Sequence, residues 1–212
     1  MFTGIIQEIG AIKLIPKKGD SLAIQISAPN TSKTLKKGGS VAINGACQTA
    51  IVIGHDWFEV FASSETVNRT GFRYYQSGLA VNLELPLTLN DPLGGHLVAG
   101  HIDDTGRISS IEPGFQSTIM KISFNPEYEK YLIEKGSIAV DGISLTVFDI
   151  QAGNLSASLI PETVANTNLK FRKIGDLVNL EFDLIGKYIE KFMSGKSKGL
   201  TMDDLFKHGF MR

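Results

Sequence analysis

The chain has 212 residues, 42% of them hydrophobic and 20% charged, with a formal net charge of −1 and one cysteine. That makeup suits one or two compact cores and excludes overall disorder, and the absence of a clustered Lys/Arg block removes the electrostatic basis for nucleic-acid binding. A single cysteine cannot close an internal disulfide, no Cys/His spacing has the form of a zinc site, and no run reaches the roughly eighteen apolar residues of a membrane span. Glu8 falls where a secretory leader would need its apolar centre, so the cytoplasm is the compartment expected.

In chain order, short apolar runs are cut by turn residues: GIIQEIGAIKLI from Gly4, LAIQISA from Leu22, SVAINGACQTAIVI from Ser40, WFEVFAS from Trp57 and LAVNLEL from Leu79. Each has strand length and many β-branched residues, which predicts a small antiparallel barrel or sandwich. Only Asn30 to Leu35 reads as a helical turn, opened by a capping Asn or Thr. Pro86 to Gly95, with LTLNDPLGG, is turn-rich and marks a boundary, and a second set of runs follows: LVAGHIDDTGRISSI, STIMKISF, SIAVDGISLTVFDI, LSASLIP and LVNLEFD. Between them PEYEKYLIE, from Pro126, predicts a helix with proline at its start. After Asp183, Ile185, Tyr188, Ile189, Phe192 and Met193 share one face of an amphipathic helix, which either meets another chain or packs on its own barrel. Ser194 to Gly199 reads as a linker and Thr201 to Gly209 as a short capped helix whose role is not legible. The divisions are 1–95, 96–184 and 185–212.

The two sets are copies. SVAINGACQTA from Ser40 and SIAVDGISLTV from Ser137 lie 97 positions apart, and the same offset pairs Glu65-Thr66 with Glu162-Thr163 and Val81 to Glu84 with Val178 to Glu181. An offset of 96 pairs GIIQEIGAI from Gly4 with GHIDDTGRI from Gly100. The period is too long for a solenoid repeat and long enough for an independent core, so the chain reads as a doubled domain: two tandem all-β barrels. Where the copies differ chemically is where function is sought: Cys47 stands opposite Ser144, Ile5 opposite His101 and Pro86 opposite Asp183, whereas Thr49 and Thr146 agree.

Alternation on a strand sends Cys47 and Thr49 to one face, and Ser144 and Thr146 to the equivalent face. Cys as a small core filler and Thr as a good strand residue would account for any one of them, but the duplication of the pair after an Asn-Gly or Asp-Gly turn fits two related pockets. His96 and His101 are five residues apart and would face opposite ways on a continuous strand, which makes them poor joint metal ligands. A histidine in the register of Ile5 needs a polar reason, and imidazole is the side chain suited to proton transfer near neutrality. No GxGxxG, P-loop or GxSxG motif is present.

MFTGI at the start, NGxCxT in the first copy, GGHLVAGHID at the junction, GISLTV and IPET in the second copy and VNLE in both are similar to riboflavin synthase of the α-chain type, from Met1 to about Met193. The resemblance implies two six-stranded Greek-key barrels, a C-terminal helix that gathers three chains, no cofactor and no metal. It implies a dismutation in which one 6,7-dimethyl-8-ribityllumazine gives a four-carbon unit to another, each site lying between the first barrel of one chain and the second of a neighbour. It leaves open an association with lumazine synthase, the lumazine-producing enzyme. Carried over, the first pocket would use Gly4, Ile5, Ile6, Cys47, Gln48, Thr49 and the segment Phe61, Ala62, Ser63, Ser64, Glu65 and Thr66. The second would use Ser144, Leu145, Thr146 and the segment Ser158, Leu159, Ile160, Pro161, Glu162 and Thr163, with Gly100, His101, Ile102 and Lys135 around the contact. His101 would move the proton, Cys47, Ser144 and Thr146 would orient or activate the attacking species, and Asp183 would assist. The chain departs from the pattern at Gln48 and Ala50 and in SSET before Val67. A lumazine-carrying antenna protein on the same scaffold is the rival reading, against which stand His96, His101, Cys47, Ser144 and Thr146. A flavin reductase would need a nicotinamide site, for which there is no signal.

Overall fold

The computed structural model describes residues 1–194, so the expected linker and the short helix after it lie outside the described residues. Seven strands come from the first copy: β1 (Glu8–Leu14), β2 (Lys17–Lys18), β3 (Ser21–Ser27), β4 (Ser40–Ile43), β5 (Ala46–Ile53), β6 (Trp57–Ala62) and β7 (Ala80–Glu84). Their order is β1-β7-β4-β5-β6-β3-β2, and β1 also pairs with β3, which closes six of them into a barrel with β2 as an appendage. The second copy supplies β8 (Asp104–Pro113), β9 (Thr118–Ser123), β10 (Ser137–Val140), β11 (Ile143–Gln151), β12 (Asn154–Leu159) and β13 (Leu177–Phe182), closed in the order β10-β11-β12-β9-β8-β13. Non-sequential neighbours in an all-antiparallel barrel are the Greek-key arrangement.

The strands form where alternation puts large apolar side chains inside. Val41 and Ile43, Phe58 and Val60, and Val81 and Leu83 fill the first barrel, and Ile138 and Val140, Met120 and Ile122, and Val178 and Leu180 fill the second, all essentially without solvent exposure. Burial of each stabilises by about 1.5–3 kcal/mol. The interiors are therefore solid, and any ligand must sit on the outer wall. Asn44-Gly45 and Asp141-Gly142 join β4 to β5 and β10 to β11, with φ of 44° and 81°, and of 45° and 78°, the left-handed pair that a two-residue type I′ hairpin requires.

Four short elements support the barrels: α1 (Thr31–Thr34), α2 (Ser64–Arg69), α3 (Pro161–Ala165) and the terminal α4 (Leu184–Ser194). At α1 the Asn30 side chain makes no cap; the Glu8 carboxylate accepts the Asn30 and Thr31 amides instead, at 3.0 and 2.6 Å. The stretch from Pro126 is a 3₁₀ turn ending at Tyr131, capped by Asn125, shorter than the helix its sequence predicts. Helix α4 packs on that turn, with Lys187 and Asp103 2.5 Å apart and Lys130 and Glu190 3.5 Å apart, yet Ile185, Tyr188, Ile189, Phe192 and Met193 stay exposed. Of the two readings of its apolar stripe, packing on its own barrel accounts for only the opposite face.

The halves meet around an approximate two-fold. Asn82 and Asn179, 97 apart, reach across reciprocally: Asn179 Nδ2 donates to the Asn44 carbonyl at 2.8 Å and Asn82 Nδ2 to the Asp141 carbonyl at 3.0 Å. Asn179 Oδ1 accepts the Gly71 amide and Asn82 Oδ1 the Asn168 amide, at 2.8 and 2.7 Å. Arg172 donates to the buried Asp141 carboxylate, where the first copy has Asn44 donating to the Tyr75 hydroxyl at 2.6 Å. Phe2, Ala42, Val98 and Ala139 form an apolar seam beside this network.

Candidate functional site

The sequence predicts strands running from Gly4 and from Leu97, but the barrel strands themselves begin only at Glu8 and Asp104. The preceding residues are leaders that lie outside both barrels. They pair with each other at Phe2 and Val98, whose amides and carbonyls exchange hydrogen bonds of 2.7 and 3.1 Å, and then each crosses to the barrel of the other copy. The Gly4 carbonyl accepts the Ser144 amide and the Gly100 carbonyl the Cys47 amide, both at 2.8 Å. Glycine is required at the crossing: φ is +78° and +86°, and a Cβ would lie 2.6 Å from the Cβ of Ser144 or of Cys47.

The crossing builds two pockets on the outer walls, and nine positions of their linings correspond in the repeat register. One, of about 690 Å³, combines Gly4, Ile5 and Ile6 with Ile143, Ser144, Glu162, Thr163, Asn166 and Thr167 of the second copy. The other, of about 230 Å³, combines Gly100, His101 and Ile102 with Ala46, Cys47, Glu65, Thr66, Arg69 and Thr70 of the first. The grouping expected from the sequence is therefore exchanged: Gly4, Ile5 and Ile6 belong with Ser144 and Thr163, and Gly100, His101 and Ile102 with Cys47 and Thr66. The physical reason is the Phe2–Val98 pairing, which turns each leader away from its own barrel.

Gln48 lines the smaller pocket from a buried position, its amide donating to the Cys47 carbonyl at 2.6 Å. The Ser63 hydroxyl accepts the Thr66 amide and starts α2, while Pro161 occupies the first turn of α3; these helix starts place Glu65-Thr66 and Glu162-Thr163 at the pocket mouths. Phe61 and Ser64 are exposed and Ala62 is buried, all three outside the smaller pocket's lining; Ser158 and Ile160 are exposed, and Leu145 and Leu159 belong to the second core. Thr49 and Thr146 are exposed on the same outer faces as Cys47 and Ser144, outside the two linings. Asp183 caps α4 by accepting the Ile185 amide and lines a separate cleft of about 220 Å³ under that helix with Ser137, the strand partner of Thr146. Lys135 is exposed, two residues before Ser137.

One polar partner was not among the site residues read from sequence. His96 is half-buried with Nδ1 2.7 Å from Ser144 Oγ, and burial lowers its pKa against the opposing charge of Asp183. The GGHL sequence at the junction was its only signal. The neutral ring presents one nitrogen that donates and one that accepts, so it can orient the serine hydroxyl. Among the described residues no group of His, Cys, Asp and Glu is arranged to hold a metal ion, and no helix is long and apolar enough to cross a membrane.

A tandem pair of Greek-key barrels with exchanged leaders and two matching outer-wall pockets defines a double-domain small-molecule-binding protein. The chain belongs to the lumazine binding domain family, whose model matches residues 3–86 and 99–183. It is 42% identical to a riboflavin synthase of Actinobacillus pleuropneumoniae over 99% of this chain and all of that one, and 37% identical to a riboflavin synthase of Bacillus subtilis over 98% and 96%. It shares its fold with the LumP–riboflavin complex, with a TM-score of 0.81 at 25% identity over 86% of this chain and 99% of the other. The LumP complex with 6,7-dimethyl-8-(1'-D-ribityl)lumazine superposes with a TM-score of 0.79 at 24% identity over the same shares.

Proposed function

We propose that the chain is a riboflavin synthase, a transferase that converts two molecules of 6,7-dimethyl-8-ribityllumazine into riboflavin and 5-amino-6-ribitylaminouracil by moving a four-carbon unit from one to the other. The observation that carries this is the pair of corresponding pockets: a reaction between two identical heterocycles needs two similar binding sites with unequal polar groups, and the full-length similarity to riboflavin synthases agrees. Backbone groups of the leaders would read the pyrimidinedione edge, and Thr66 and Thr163 would bind the ribityl chains.

The chemistry needs a proton taken from the 7-methyl group of one lumazine and an oxygen or sulfur species added at carbon 7 of the other. His101, exposed at the mouth of the smaller pocket, would take that proton. Cys47, Ser144 and Thr146 would orient or activate the adding group, with Asp183 assisting. Holding the two rings in a reactive pose would supply about 7–11 kcal/mol of the barrier.

The two linings share no residue, so the two rings of one chain would sit apart. The encounter is then between the first barrel of one chain and the second of a neighbour, and the exposed stripe of α4 is the contact that would gather a homotrimer. The cytoplasm is the compartment proposed, and any association with lumazine synthase would be additional to the trimer. The test is to supply purified protein with dimethylribityllumazine alone. Riboflavin fluorescence with release of the ribitylaminouracil supports the proposal; lumazine that binds without conversion would instead make the chain a carrier.

A further inference from the structure

Two carboxylates are buried where a barrel wall would ordinarily be apolar. Glu84 ends β7 and Glu181 lies one residue before the end of β13, 97 positions on; they are 3% and 2% exposed. A buried carboxylate is costly unless its oxygens are satisfied, and both are satisfied by the leaders. Glu84 Oε1 accepts the Thr3 amide at 2.6 Å and the Thr3 hydroxyl at 2.8 Å, and its Oε2 accepts the Gly4 amide at 3.1 Å. Glu181 Oε1 accepts the Ala99 amide at 2.6 Å and its Oε2 the Gly100 amide at 2.9 Å.

Each carboxylate thus grips two consecutive amides at the point where a leader turns toward the other barrel, and the next bond in line is Gly4 to Ser144 or Gly100 to Cys47. We infer that Glu84 and Glu181 are positioning residues for the two pockets: Glu84 sets the Gly4 to Ile6 wall at Ser144, and Glu181 sets the Gly100 to Ile102 wall that carries His101. A carboxylate is the group for this task because both oxygens accept; a glutamine would turn an NH₂ toward one of the two amide donors.

The grips are unequal. Burial pushes the Glu181 carboxyl up to about 7, with Lys187 on α4 favouring its ionised form and Asp103, next to the leader, opposing it. Its β10 neighbour is Ala139, which carries no charge. Burial also raises the Glu84 carboxyl, against the donors of Thr3, Gly4 and Ile5. The His101 wall is then the one whose grip weakens as pH falls through neutrality.

The inference rests on the proposed lumazine chemistry only for its activity readout. In ¹⁵N-labelled full-length protein, the Ala99 and Gly100 amide resonances are expected to titrate together with a midpoint near 7 in the wild type and to lose that titration in Glu181→Gln, a substitution that leaves the Thr3 and Gly4 amides as they are in the wild type. Turnover of lumazine by Glu181→Gln is expected to fall about 10- to 100-fold with a smaller change in KM, as for a displaced catalytic group. Glu181→Asp should recover part of the loss, and Glu84→Gln should move the Thr3 and Gly4 amides instead. Amides of Ala99 and Gly100 that ignore both pH and the substitution, or a Glu181→Gln enzyme with wild-type rate and pH profile, would overturn the assignment. If the wild type makes no riboflavin, the functional proposal fails while the wild-type amide titration still decides this one, as it does if Glu181→Gln does not fold.

Discussion

The imidazole of His96 stands 2.7 Å from the hydroxyl of Ser144, the serine that occupies the register of Cys47 in the other copy. A ring kept neutral by burial can hold that hydroxyl in one orientation toward the larger pocket. If the pair acts as a unit, Ser144→Ala and His96→Ala each lower single-turnover rate by about tenfold, and the double variant falls no further than either. Additive losses in that cycle would separate the two residues.

His101 faces the smaller pocket from a leader, and its ring makes no hydrogen bond among the described residues. His101→Ala is therefore expected to leave thermal stability within about 0.5 kcal/mol of wild type and to cut turnover by about 100-fold, with lumazine affinity little changed. Steady-state kinetics beside fluorescence titration reads both quantities, and an unaltered turnover number removes the imidazole from proton transfer.

The polar network between the barrels should dominate the stability of their union. Asn82→Ala strips the Asn168 amide of its acceptor, and Asn179→Ala does the same to Gly71. Each is expected to cost about 1–3 kcal/mol. Arg172→Leu leaves the Asp141 carboxylate, 1% exposed, without its cation, at a cost of about 3–5 kcal/mol. Urea unfolding gives these values directly, and a loss confined below 0.5 kcal/mol for Arg172→Leu would show that the pair is dispensable.

The Glu181 carboxyl is raised from 4.5 to about 7 on folding. The folded chain keeps a proton there that the unfolded chain has already released, so this group favours folding below pH 4.5 and the contribution is lost as pH rises through about 7. The difference amounts to roughly 3 kcal/mol. Wild type should lose that much stability relative to the non-titrating Glu181→Gln variant across this range, as measured by paired denaturation curves; parallel curves would place the carboxyl at its ordinary value.

Removing residues after Asp183 takes away the exposed Ile185, Tyr188, Ile189, Phe192 and Met193 along with the Lys187–Asp103 ion pair. If that stripe gathers the proposed trimer, light scattering is expected to report a single folded chain, and riboflavin formation should fall with the loss of the proposed site between chains. A truncated protein that keeps the trimer mass would assign assembly to another surface.

Much of this was legible from one line of text, since a period-two alternation such as Val41–Ile43 or Val178–Leu180 states which side chains go inside, and the 97-residue register states that it happens twice. The exchange of the leaders was not legible. Residues Thr3 to Gln7 and Ala99 to Asp103 look like strand continuations, and only the Phe2–Val98 pairing and the left-handed Gly4 and Gly100 reveal that each serves the opposite barrel. Periodicity reports burial; it carries no label saying against which copy. Helices α2 and α3 were hidden for another reason: each is at most six residues long and made by its caps and its setting rather than by an apolar stripe. His96 is named by the sequence among the polar residues, but its partner is not legible there, because Ser144 lies 48 positions away.

At the approximate axis Gly45 and Gly142 lie back to back, so close that a methyl on either would fall within 2.8 Å of the backbone nitrogen of the other. A joint made from the same residue seen from both sides asks nothing of the peptide that links the halves. A forerunner with a single barrel could have built it by self-association, at the mercy of dilution; joining two coding units end to end would have replaced that encounter with a permanent local concentration on the order of millimolar. Once joined, each half was free to drift, and the register that sets His101 in one copy against Ile5 in the other records one such divergence.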